Sequence, residues 1–191
     1  MSTTARRVHY PYEQYVALEE ESAIRHEYLD GEIYAMAGGS PDHAALAATV
    51  IRKLGSRLPP GCRAFTSGLR IRIAASGLST YPDVAVVCGR TARAVDDPLA
   101  VTNPVLLVEI TSHSTEEYDR GEKRRHYGQI PSLREVLIVS HREPYLTLHR
   151  RDVTDWITFE ARRGQAVVLE AVAARLAVDD VYGNDLEDIA T

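Results

Sequence analysis

The stretches Tyr81-Pro82-Asp83-Val84-Ala85-Val86-Val87 and Pro104-Val105-Leu106-Leu107-Val108-Glu109-Ile110 decide how this chain folds. Both are short apolar runs rich in β-branched residues, and both read as buried strands. Each carries one acid, Asp83 near the start of the first and Glu109 near the end of the second. A lone carboxylate in such a run is costly to desolvate unless it is paired or binds a cation. The acids lie 26 residues apart, which leaves room for a loop and the return of a neighbouring strand. If the two strands are adjacent, both acids converge at one edge of the sheet.

Beyond the second acid, Thr115 to Gln129 reads as a helix carrying Lys123, with Asp119 and Tyr127 four residues to either side on the same face. Two hard oxygen donors and an ammonium group are the parts needed to hold Mg²⁺ against a phosphodiester. Asp83 and Glu109 are the candidate metal ligands, and the carbonyl of Ile110 offers a third oxygen. Lys123 is the candidate to orient the attacking water, lower its pKa or neutralise the scissile phosphate. Plainer roles exist for each residue. Asp83 follows a proline and can cap a turn. Glu109 can pair with a core arginine such as Arg70 or Arg72. Lys123 sits among Glu122, Arg124 and Arg125, as residues of a solvated helix face do.

Outward from these runs, Pro11 opens a short helix over Tyr12–Glu20. Asp30-Gly31 joins the strands His26–Leu29 and Glu32–Ala37 in a hairpin. Ser40-Pro41-Asp42 starts the clearest helix, Ala44–Leu58, with Leu46, Val50, Ile51 and Leu54 on one face and Pro59-Pro60-Gly61 as its stop. Strands follow at Cys62–Thr66 and Leu69–Ala75, then the Asp83 and Glu109 strands, and Arg134–Val139 after the Lys123 helix. Tyr145–Arg150, Trp156–Glu160 and Ala166–Glu170 read as short antiparallel strands. Trp156 and the ten tyrosines read as core and edge packing. The fold class is α/β, with helices flanking a mixed central sheet. Residues 1–9 read as a flexible tail and 10–191 as one domain.

At 191 residues the chain is large enough for a proper core. Apolar content of 45% and charged content of 26% are those of a soluble globular protein. No apolar run approaches a membrane span, and Met1–Arg7 lacks the apolar core of a secretory signal. Cys62 and Cys88 show no CxxC spacing and make no case for a disulfide framework or zinc site, so a reducing, cytoplasmic setting is expected. The net charge of −5 gives no global basic field. Local arginine clusters at 120–125, 150–151 and 162–163 could still track phosphates. His113, His126, His141 and His149 have no metal-binding spacing.

The ordered pieces HEYLDGEIYAMAGGSPDHAALAATVIRKL, YPDVAVV and NPVLLVEITSHSTEEYDRGEKRRHYGQIPSLREVLIVS resemble the Uma-type restriction-endonuclease-like family, placed in the PD-(D/E)XK nuclease superfamily. The likeness spans roughly residues 10–150. It implies a three-layer domain, DNA endonuclease chemistry dependent on Mg²⁺ or Mn²⁺, and frequent homodimers. Pro82-Asp83 matches the PD element and Glu109 the acidic element. The superfamily's usual lysine would fall at Thr111. This chain departs there, and Lys123, with Asp119 before it, matches the Uma-type lysine moved onto the next helix. Glu27 matches the family's N-terminal acid, with cross-strand pairing as its plainer role, and His43 matches the histidine opening the long helix, where it can equally bond the preceding turn. Two rival readings stand beside the nuclease: a catalytically inactive nucleic-acid- or protein-binding module on the same fold, and a hydrolase of small phosphorylated substrates.

Overall fold

Turn and cap chemistry accounts for the first half of the chain. A computed structural model describes residues 8–36, 38–112, 121–153 and 155–183. Pro11 precedes α1 (Tyr12–Glu21), where its fixed φ suits a helix start. β1 (His26–Leu29) and β2 (Glu32–Ala35) form the expected hairpin, and Asp30 and Gly31 have φ of +43° and +93°. Two positive φ values give the turn twist that matches the strands. A Cβ at Gly31 would also lie 2.2 Å from the His9 ring, which would have to turn aside. α2 (Pro41–Gly55) starts at Ser40, whose side chain accepts the His43 backbone N–H. It stops at Gly55 rather than at Leu58. A glycine followed four residues later by a proline pair disfavours further helical backbone.

The sheet-forming half follows. β3 (Cys62–Thr66), β4 (Ile71–Ile73), β5 (Leu78–Thr80), β6 (Val84–Cys88) and β7 (Leu106–Ile110) lead to α3 (Glu122–Tyr127). Then come β8 (Glu135–Val139), β9 (Tyr145–Arg151), β10 (Trp156–Arg162), β11 (Ala166–Leu169), β12 (Ala174–Ala177) and α4 (Val178–Tyr182). β12 and α4 go beyond the sequence reading, and several boundaries differ from it, two of them for a clear local reason. The expected strand Leu69–Ala75 is cut to three residues by a 3₁₀ turn at Ala74–Ser76, and Gly77 at φ +70° returns the chain as β5. The Asp83 run becomes a ladder strand only from Val84, since Pro82 has no N–H to give. Of the expected Thr115–Gln129 helix, only Glu122–Tyr127 is helical among the described residues. Residues 115–120, Asp119 included, lie outside them, as do residues 1–7 of the expected tail and His113.

The central sheet has the order β10-β9-β8-β7-β6-β3 and is mixed: β7 and β8 are parallel, the remaining pairs antiparallel. A smaller sheet has the order β2-β1-β5-β4, and β11 with β12 forms a third. On one face of the central sheet, Val84, Val86, Leu106, Val108 and Ile110 meet Leu46, Val50 and Leu54 of α2 and the residues of β11, β12 and α4. On the other face, Ala85, Val87, Leu107, Val136 and Ile138 meet Ile71, Ile73 and Leu78 of the small sheet and Tyr127, Ile130 and Leu133. Burial of each such side chain is worth about 1.5–3 kcal/mol. This is the expected α/β sandwich of a mixed sheet, except that a second sheet does half the covering. Among the described residues no helix is long and apolar enough to cross a membrane.

One expectation fails outright. Cys62 and Cys88 stand opposite each other in the β3–β6 ladder, with Cα atoms 4.0 Å apart, and form a disulfide. A sequence separation of 26 hid the pair, because only strand pairing brings the sulfurs together. A thiol reagent added to the denatured, unreduced protein should therefore find no free cysteine. Replacing both cysteines by serine should lower the unfolding free energy by roughly 2–4 kcal/mol, read from urea denaturation.

Candidate active site

β6 and β7 pair with Val84 opposite Val108. One more step in that register puts Asp83 opposite Glu109, and the chains are still side by side there, because the Ile110 N–H donates to Asp83 Oδ2 at 2.7 Å. Glu109 shares the parity of Leu107, so it faces the side of the sheet covered by Tyr127. The two acids are thus on adjacent strands at one end of the sheet. Asp83 is also where the chain passes from the small sheet into the central one. That crossing is held through Tyr81, whose hydroxyl lies 3.2 Å from an Arg70 guanidinium nitrogen and 3.3 Å from Glu19.

Glu109 is 4% exposed and Lys123 5% exposed, so neither charge is hydrated in the ordinary way. Lys123 Nζ lies 3.1 Å from Glu109 Oε1 and 3.1 Å from Glu27 Oε1. Each of those oxygens accepts a second, short hydrogen bond, Glu109 from the Tyr127 hydroxyl and Glu27 from the Thr80 hydroxyl. The result is a chain: Thr80, Glu27, Lys123, Glu109, Tyr127. Its geometry is local in origin. Thr80 stands opposite Glu27 in the β1–β5 register continued from Tyr28↔Ser79, and Lys123 and Tyr127 are one helical turn apart on α3. Complete burial, reinforced by the charge of Glu109, holds the Tyr127 hydroxyl well above its usual pKa of 10, so it remains a donor. The Lys123 ammonium reaches Glu109 from the helix, not from the strand. Thr111 itself is fully buried and its hydroxyl lies 2.7 Å from His141 Nδ1.

His43 projects from the first turn of α2 to the other side of Asp83. Its Nε2 lies 3.3 Å from Asp83 Oδ2 and 3.0 Å from the Ile110 carbonyl oxygen. Both are acceptors, so Nε2 carries a hydrogen shared between them. The hydrogen bond to Asp83 is the main influence on this imidazole, and its pKa is raised above 6.5 despite partial burial. The ring nests against Gly39, where a Cβ would come within 2.8 Å of Nδ1.

Glu27, His43, Asp83, Glu109, the Ile110 carbonyl and Lys123 are therefore in this one place, while Asp119 lies outside the described residues. The buried ion-pair partner of Glu109 is Lys123, not a core arginine: Arg70 bonds to buried Asp97 at 2.9 Å and Arg72 to Asp96. Two arginine clusters also prove to be braces. Arg150 pairs with Glu135 and Glu170, Arg151 donates to the Gly128 and Ile130 carbonyls, and Arg162 pairs with Glu143. The aromatic side chains pack as expected, Tyr12, Tyr15 and Tyr28 in one cluster with centroids 5.1 to 5.5 Å apart. Thr80 escaped sequence reading because a threonine in a strand carries no signal until its cross-strand partner is known.

Two measurements follow from these contacts. NMR titration should place the His43 pKa above 6.5 in the wild type and return it toward 6.5 in Asp83→Asn. Because the folded-state value is raised, the stability this pair contributes is complete below pH 6.5 and is lost as pH rises from there through the higher folded-state value. Tyr127→Phe, which keeps the ring and removes the donor to a buried carboxylate, should cost about 1–3 kcal/mol in chemical denaturation.

The chain is similar to "Uncharacterized protein slr1290" of Synechocystis sp. (strain ATCC 27184 / PCC 6803 / Kazusa), 36% identical over 172 residues that cover 89% of this chain and 90% of that protein. It is similar to "Uncharacterized protein sll1609" of the same strain, 35% identical over 129 residues, 66% of this chain and 72% of that protein. Among solved structures, a "putative nuclease belonging to DUF820" from Anabaena variabilis ATCC 29413 has the same fold, with a TM-score of 0.69 at 19% identity over 85% of this chain and 92% of that one. The Uma2 family, described as "Putative restriction endonuclease", matches residues 12–179. That span runs from α1 into α4 and takes in all three sheets and the whole Asp83–Glu109–Lys123 cluster, and by it the chain belongs to the Uma2 family of restriction-endonuclease-like proteins.

Proposed function

We infer that this chain is a divalent-metal-dependent DNA endonuclease that hydrolyses phosphodiester bonds. The observation that carries the reading is the meeting of Asp83, Glu109 and Lys123 at one end of the central sheet, with the Ile110 carbonyl beside them. Family membership supports it, since restriction-endonuclease-like chemistry needs these groups.

The donor set fits a hard cation. Among the described residues no group of three or more His, Cys, Asp or Glu side chains is arranged to hold an ion alone. Mg²⁺ does not require one: it takes one or two carboxylates and completes its octahedron with water and substrate oxygens. Asp83, Glu109 and the Ile110 carbonyl would hold it, and Mn²⁺ would be accepted by the same oxygens. When bound, such an ion supplies an acidified water and charge stabilisation for the phosphoryl oxygens.

The chain's own residues do the rest. Lys123, fixed between Glu27 and Glu109, holds a positive charge where negative charge develops on the phosphate. Glu27 keeps the ammonium in place, and Thr80 and Tyr127 hold the two glutamates by their hydroxyls. His43 ties Asp83 to the Ile110 carbonyl.

The test is plasmid nicking with and without Mg²⁺. Asp83→Ala and Glu109→Ala should each abolish metal-dependent cleavage while circular dichroism shows a folded protein. Lys123→Met should slow it by roughly 10²–10³-fold. Equal nicking by the wild type and both acid variants defeats the assignment.

A further inference from the structure

A DNA strand brings more negative charge to the candidate site than the cluster itself can meet. Glu27, Asp83 and Glu109 gather three carboxylates, with the Lys123 ammonium fixed among them. Lys123 and a divalent ion would together balance those charges and leave nothing over for the neighbouring phosphates. The chain as a whole carries a net charge of −5. A polyanion is drawn to such a mouth only if the rim presents a cation not already engaged by a carboxylate. Arg57, Arg70, Arg72, Arg150 and Arg162 are all so engaged.

Arg25 is different, and it stands at this rim. It precedes β1, and its backbone carbonyl accepts the Met36 N–H, which carries the hairpin one pair beyond His26↔Ala35. Arg25 and Glu27 therefore share a face of the small sheet, about 7 Å apart along the strand. Arg25 Nη1 donates to the Ser67 carbonyl at 2.6 Å, and the guanidinium carbon lies 5.4 Å from the centroid of the Tyr81 ring. Ser67 follows Thr66, which pairs with Val84, and Tyr81 precedes Asp83 by two residues. Three segments of the chain thus put this cation beside Glu27 and Asp83.

The same contacts order the group without neutralising it. A carbonyl oxygen and an aromatic face hold a guanidinium but do not cancel its charge. Among the described residues no carboxylate pairs with Arg25, and the residue is exposed. Of the five N–H donors of a guanidinium, the Ser67 carbonyl takes one. An oxyanion arriving there meets a planar fork whose side chain is already ordered, which lowers the entropic cost of binding it.

We propose that Arg25 is a DNA-phosphate clamp: its guanidinium grips the phosphate next to the one cleaved and so holds the strand across Asp83, Glu109 and Lys123. The inference rests on the nuclease reading above and adds a substrate-binding residue to it.

Steady-state plasmid nicking at fixed Mg²⁺, over a series of NaCl concentrations, tests the clamp. Arg25→Gln, which keeps an amide donor and loses the charge, should raise KM roughly tenfold and leave kcat within about twofold. The slope of log kcat/KM against log salt should become shallower by about one. Arg25→Lys should keep the wild-type slope with an intermediate KM. Mg²⁺ uptake, read by isothermal titration, should be the same in the wild type and both variants. An unchanged KM or salt slope in Arg25→Gln, equal losses in the two variants, or weakened Mg²⁺ uptake overturns the clamp. The nuclease reading survives any of these results as long as wild-type nicking depends on Asp83 and Glu109. A wild-type protein that does not nick DNA defeats the nuclease reading, and the clamp goes with it.

Discussion

The antiparallel register of β6 on β7 is the constraint on which the candidate site depends. With Val84 opposite Val108, the next pair outward is Asp83 and Glu109, on the same face and at the same end. A slip of one residue would send one acid into the apolar cluster under α2, since side chains alternate strictly along a strand. The register is secured twice. Alternate residues of both strands are fully buried in different clusters, so a slip exposes one set and buries charge in the other. The Ile110 N–H then bonds to the Asp83 carboxylate, so the ladder is finished by a side chain where Pro82 has interrupted the backbone.

From that register the electrostatics follow. Two carboxylates brought together at the end of a dry strand repel each other and pay for desolvation unless cations come with them. α3 and α2 each deliver one from opposite sides of the sheet: Lys123 from the face shared with Tyr127, His43 from the helix that covers the other face. Asp83 Oδ2, Glu27 Oε1, Glu109 Oε1 and the Ile110 carbonyl oxygen each have a donor at hydrogen-bonding distance, as buried charge and buried carbonyls require. The same arrangement, charges held ready and hydroxyls holding the charges, is what a phosphodiester would meet.

The small sheet has a mechanical part in this. It brings Glu27 and Thr80 over the face of the central sheet, and its last strand feeds directly through Tyr81-Pro82 into Asp83. Arg70, tied to buried Asp97 and to the Tyr81 hydroxyl, anchors that crossing to the layer containing α1. Such a buried arginine–aspartate pair adds less to stability than apolar packing of equal volume would, but it fixes direction. The arginines that looked like a phosphate track at 150–151 and 162–163 each find a carboxylate or a carbonyl within the chain, Arg150 on β8, Arg151 and Arg162 on loops, and Arg163 at the end of α4.

Strand, hairpin and helix identities were determined by the sequence itself, because they arise from short-range chemistry: alternation, the Asp30-Gly31 turn, the Ser40-Pro41 helix start. Its pattern also marked Asp83, Glu109 and Lys123, since an acid in an apolar run is conspicuous without any partner in view. What only the tertiary structure decided depends on pairs far apart in the chain. The Cys62–Cys88 bridge, the Thr80 and Tyr127 hydroxyls on Glu27 and Glu109, and the sharing of His43 between Asp83 and Ile110 all come from strand pairing and layer packing. No local property of a cysteine, a threonine or a histidine announces which side chain will stand opposite once the sheets have closed.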